Sequence, residues 1–207
     1  IGSRIAITGD VTLNLCGGAT LNAPKGIELT SDNSLTINGP GALVINACDE
    51  NKSGIGASSV GTLVINGGTI NVTGGVFGAG IGGDFGNTSG GSITINGGVV
   101  NATGGTCGAG IGSGYCDGSG ERGVCGDIII NGGQVTATGN RESEGIGLGR
   151  NISNSSGTLT LGWTNPSDFV KINCLSNSRG KTLKSITFAD GKVFVLDGTT
   201  TLATADN

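Results

Sequence analysis

The side chains of this chain that could do chemistry are three close carboxylate pairs and six cysteines, with no histidine beside them. Asp49/Glu50, Asp117/Glu121 and Glu142/Glu144 are the pairs close enough in sequence to suggest glycoside hydrolysis. That reaction needs two carboxyls facing each other about 5–9 Å apart. Adjacent residues in a strand point to opposite faces, which weakens Asp49/Glu50. Glu142 and Glu144 flank Arg141's side of a polar run and read as a solvated charge cluster. Asp117 and Glu121 share a glycine-rich loop with Ser119 and Arg122, where a structural calcium is the one metal candidate. The stretch GGDFGNTSG is similar to a calcium-binding nonapeptide, but the tandem nine-residue repetition that such sites use is missing. A serine or cysteine nucleophile would need a neighbouring base, and histidine is absent. The chain is therefore expected to be a non-enzyme without a cofactor or metal.

The cysteine count is even, and methionine is absent along with histidine, which fits an oxidising, extracellular setting. The spacing contains no CxxC, so it matches no zinc pattern. Cys116 and Cys125 bracket a glycine-rich loop and are the preferred disulfide pair; the alternative is partly buried, reduced thiols throughout.

Those residues must be positioned by an unusual chain. Glycine makes up 44 of 207 residues, proline only 3, and aromatic residues only 3%. The remaining apolar residues are mostly Ile, Val, Leu and Ala, which suit a dry core of strands rather than a disordered polymer. Net charge is −4 without a basic cluster, which disfavours a nucleic-acid surface. No apolar run reaches the length of a membrane-spanning helix. The chain opens in the strand-like SRIAIT with no visible signal peptide, and reads as a mature form or an excised domain.

Internal repetition dominates. INGGTINVTGGVFGAGIG runs from Ile65, INGGVVNATGGTCGAGIG from Ile95 and INGGQVTATGNRESEGIG from Ile130. The first two copies agree at 13 of 18 positions, and the offset from the Ile of INGG to the Ile of GIG is 16 in all three. Length varies only afterwards, with 14 residues from Ile81 to Ile95 and 19 from Ile111 to Ile130. Degenerate copies begin near Leu13 and Leu35, and LTLGW opens another at Leu159. In the first of these Cys16 takes the Asn position of INGG, so the turns start at Leu15, Ile37, Ile65, Ile95, Ile130 and Leu161.

Turns of this length predict an all-β, right-handed parallel β-helix of about six coils. The repeat occupies about residues 10–162 of a single domain, and 163–207 form a last coil or cap. Each coil opens apolar-x-apolar, as in Leu63/Ile65 and Ile93/Ile95, the alternation of a strand with one buried face. Val100, Ala102 and the GIG isoleucines Ile81, Ile111 and Ile146 should point inward, and Asn101 and Thr103 outward. Stacked Asn38, Asn66, Asn96 and Asn131 should form an amide ladder, and Thr73, Thr103 and Thr138 a second column. The GAGIGG pieces lead into no helix, so they are not dinucleotide loops.

Register also predicts where a partner would bind. Four residues past each GIG isoleucine lie Ser59, Phe85, Tyr115 and Arg150, which should stack about 4.8 Å apart. Phe85, Tyr115 and Arg150, flanked by Asp84 and Asp117, form the expected ligand-binding strip, placed where the variable loops emerge.

The run DVTLNLCGGATLNAPKGIELTSDNSLTI, the INGGxVxATGGxxGAGIG units and LTLGWTNPSDFVKI together resemble glycine-rich β-helix surface proteins of gut and oral bacteria. The resemblance covers about residues 10–175, with a more distant likeness to the pectin-lyase-like right-handed β-helix superfamily. It implies a secreted or cell-surface adhesin or carbohydrate-binding module and supplies no catalytic residues. Expected partners are a host or microbial glycan or surface protein, without nucleic acid or membrane insertion. The alternatives are self-association end to end into a surface fibre and, after it, a polysaccharide lyase or hydrolase.

Overall fold

The computed structural model describes residues 2–46, 49–86, 90–117, 124–141, 143–150, 156–163, 165–174, 185–188 and 201–204. All of its regular elements are strands, gathered in three sheets of six, seven and seven. Each coil contributes a short strand that opens on isoleucine, Ile–Gly from the third coil on, then a leading strand, then a trailing strand beyond a corner that reads Asn–Gly–Gly in the central coils. In the fourth coil these are Ile81–Gly83, Ser92–Ile95 and Val99–Thr103. Every strand pairs in parallel with its equivalent one coil away, except the last trailing strand, Thr201–Thr204, which runs antiparallel to Phe169–Cys174. The architecture is a right-handed parallel β-helix of about six coils.

The inward positions follow from the two-residue alternation. Ile27, Ile55, Ile81, Ile111 and Ile146 stack in one sheet. Leu35, Leu63, Ile93, Ile128 and Leu159 stack in the second, with Ile37, Ile65, Ile95, Ile130 and Leu161 beside them. Val100 and Ala102 continue the third, and these side chains join one buried core that also takes in Trp163. Burying each large aliphatic side chain stabilises the rod by about 1.5–3 kcal/mol. Asn101 and Thr103 face out on the same strand, and Thr73, Thr103 and Thr138 align in register.

Glycine is indispensable where coils touch closely. Gly56, Gly82, Gly112 and Gly147 stack in register, each with φ between +131° and +145°. A Cβ on Gly82 or Gly112 would overlap the carbonyl oxygen of the next glycine in the column. No other residue fits that backbone or that gap.

The first coil departs from expectation. Leu13 pairs with Ile37 and Asn14 with Asn38, so the coil starts at Leu13 rather than Leu15, and Asn14 rather than Cys16 takes the Asn position. Leu15 still points inward, because the corner there is longer: Thr20 lies opposite Ala42. With a side-chain period of two, Leu13 and Leu15 satisfy the same pattern.

Candidate functional site

The segment that follows each Ile–Gly strand forms one edge of the rod. Phe85, Tyr115 and Arg150 hold equivalent backbone positions there. Their amides donate in turn to the carbonyls of Asn51 (2.9 Å), Phe77 (2.7 Å) and Cys107 (2.9 Å) in the preceding coil. Gly86 donates to the Tyr115 carbonyl at 2.9 Å and Cys116 to the Arg150 carbonyl at 3.3 Å, so the column is tied along its length. The predicted stacking of Phe85 and Tyr115 is present, with ring centroids 5.6 Å apart.

A third ring completes the cluster. Phe77 packs 5.5 Å from Phe85 and 5.2 Å from Tyr115, in tilted arrangements that aromatic quadrupoles favour. All three rings are half-buried. Phe77 was not among the expected residues, although the repeat carried a hint. The first two copies diverge at Val76-Phe77 against Thr106-Cys107, the very position whose side chain meets the next coil's variable segment. Cys107 holds that position one coil on, and its sulfur lies 3.9 Å from Nη1 of Arg150.

Asp84 is a correction. It was expected to flank the rings as an open carboxylate, yet only 2% of it is exposed. Lys52 Nζ reaches Oδ2 at 2.8 Å, Ser53 donates to Oδ1 through both its amide and its hydroxyl at 2.8 Å, and Arg4 lies 3.7 Å away. Arg4 also donates to the carbonyls of Ser53 and Gly56, at 2.8 Å each. A buried carboxylate must be paired, and this one is committed to clamping coils together beneath Phe85. Sequence offered no sign of it, since Arg4 and Asp84 are far apart along the chain.

Asp117 is exposed at the margin of the cluster. Its paired carboxylate Glu121, with the loop neighbours Ser119 and Arg122, lies outside the described residues, and with it the candidate calcium site. So does Glu142. Glu144 is half-exposed, and its Oε2 accepts from the Leu148 amide at 3.0 Å, folding the carboxylate back over the Ile–Gly strand. The exposed Asp49 carboxylate is engaged by the Lys25 ammonium, which holds it below the ordinary carboxylate range. Among the described residues no group of three or more His, Cys, Asp or Glu is placed to hold a metal ion.

Cys116 and Cys125 are not joined in a disulfide, contrary to expectation. Both belong to the apolar core. Cys125 sits at a register shift in Val124–Ile130, and such a bulge re-aims the side chain, here inward. Burial, with a smaller contribution from the Glu144 carboxylate, pushes its thiol up to about 12.

A family model described as a beta helix repeat matches residues 63–87, 93–115 and 128–150. Each match opens on a leading strand, and the latter two end on Tyr115 and Arg150, so the repeat unit includes the variable column. No curated protein and no solved structure matches the chain.

Proposed function

We propose that this protein of β-helix repeats is a non-catalytic, surface-displayed or secreted module that binds carbohydrate or adheres to a glycan-bearing surface. The observation that carries the reading is the cluster of Phe77, Phe85 and Tyr115, three half-buried rings meeting at 5.2–5.6 Å on the rod's loop-bearing edge. Aromatic faces accept the C–H face of a sugar ring, and Tyr115 adds a hydroxyl. Arg150 and Asp117 supply charge at the margin. The backbone ladder beneath holds the rings rigid, so little ordering entropy opposes binding.

The non-catalytic reading is supported by how three of the described carboxylates are employed. Asp84 is neutralised by Lys52 and Arg4, Asp49 by Lys25, and Glu144 is turned onto a backbone amide.

A glycan array probed with the whole chain is the direct test. Phe85→Ala/Tyr115→Ala should weaken the hits at least about tenfold, matching the loss of two well-packed contacts. An absence of hits, or hits unchanged in the double variant, overturns the strip. Release of reducing ends or unsaturated products from acidic polysaccharides overturns the non-catalytic assignment.

A further inference from the structure

The Asn–Gly–Gly corner carries a second, separate feature. From Ile130 to Gln134 the chain turns the corner in a tight Asn–Gly–Gly step. Their partners one coil on are Leu161 and Phe169, so the same turn there takes twice as many steps. The longer loop overhangs the tight corners below it and walls a shallow groove of about 410 Å³, lined by residues 96–99, Gly133, Gln134, Asn165 and Asp168. That volume falls within the ~300–1,000 Å³ typical of small-ligand sites.

The wall is held in place by its own bonds. The Asn165 Oδ1 accepts from the amide and hydroxyl of Ser167, at 3.1 and 3.0 Å. Asp168 donates its amide to the Asn165 carbonyl at 3.0 Å, and Gln134 Nε2 donates to the Ser167 carbonyl at 3.3 Å. These bonds leave the Gln134 carbonyl oxygen and the Asn165 amide nitrogen available. Among the described residues the Asp168 carboxylate accepts no hydrogen bond. The floor is glycine backbone and Val99, an apolar side chain that is 37% exposed.

We propose that this corner groove binds a neutral sugar ring, with a pyranose C–H face on Val99 and the glycine floor and its hydroxyls shared among Asp168, Gln134 and Asn165. Planar acceptors and a donor around an apolar patch match a polyol, whose hydroxyls both donate and accept. The Asp168 charge repels phosphate or uronate ligands, and one carboxylate is too few for a metal site. The ligand class is shared with the aromatic strip, and the proposal rests on the carbohydrate-binding reading to that extent, but no residue is common to both.

The ¹⁵N-labelled whole chain, titrated with maltose, cellobiose and lactose, tests it. At least one sugar should shift the amides of Gly97, Gly98 and Gly133. Asp168→Ala should weaken that response about tenfold, as expected for a hydrogen bond to a charged group. Val99→Thr, the residue that Thr69 places at the equivalent position one coil earlier, should weaken it to a smaller degree. Phe85→Ala/Tyr115→Ala should leave the corner shifts intact, so that failure of the strip and failure of the corner are read independently. The proposal is overturned if no neutral disaccharide moves these amides, if Asp168→Ala leaves the response unchanged, or if galacturonate moves them more than the neutral sugars do.

Discussion

Along the Asn–Gly–Gly corner, Asn38, Asn66, Asn96 and Asn131 each donate a side-chain amide to the asparagine one coil before, at 2.8–3.2 Å, down to Asn14. Along the edge that follows the Ile–Gly strands, Phe85, Tyr115 and Arg150 are tied through their main chain, and their unlike side chains make unlike contacts: two rings pack on each other and the guanidinium reaches Cys107. In the ladder each side chain is the partner of its own copy, so a change at Asn38, Asn66 or Asn96 breaks two contacts. At the other edge the main chain carries the register, so the same position holds a ring in two coils and a cation in the third. A repeat keeps its letters where side chains stack on themselves and spends its variety where backbone does the stacking.

The contrast can be broken most severely at the shared scaffold. Gly112→Ala places a Cβ on the Gly147 carbonyl and strains a φ of +136°, and should cost on the order of 3–5 kcal/mol, read as lost cooperative unfolding in circular dichroism. Asp84→Ala attacks the variable edge through its support. It leaves Arg4 and Lys52 without their buried carboxylate and should cost about 3 kcal/mol in urea denaturation. If that variant melts like the wild type, the clamp beneath Phe85 is incidental.

Alkaline titration separates the core from both edges. The Cys125 thiol titrates near 12 when folded, against 9.0 ordinarily. The unfolded chain therefore loses this proton first, and its contribution to stability is present below pH 9 and lost as pH rises toward 12. Cys125→Ala should flatten that part of the stability curve, and an unchanged slope would remove Cys125 from the account. The smallest effect belongs to the ladder. Asn96→Ala removes one donated and one accepted bond at an exposed site and should lower stability by about 1 kcal/mol. A drop as large as that of Asp84→Ala would erase the distinction drawn between the two edges.

The 16-residue spacing made the isoleucine columns, the ladder and the Phe85–Tyr115 stack legible, because in a solenoid equal offsets become neighbours. The same logic fails where spacing is degenerate. Leu13 and Leu15 both obey a period of two, and only pairing with Ile37 selects Leu13. Phe77 escaped notice because it precedes the Ile81–Gly83 strand, whereas the strip is counted from the residues that follow each Ile–Gly strand. The Cys116/Cys125 disulfide was inferred from proximity in sequence, which says nothing about a bulge that turns one sulfur into the core.

The sequence by itself determined the rod: its strands, its inward faces and the glycines that let coils approach. These are local demands repeated at fixed intervals, and repetition makes local chemistry global. Only the tertiary structure decided which charges are spent. Asp84 became a buried clamp because Arg4, Lys52 and Ser53 converge on it from other coils. Asp168 became a groove wall because one corner outgrew its neighbours. Such convergence depends on distances between unequal loops, and no period in the sequence encodes it.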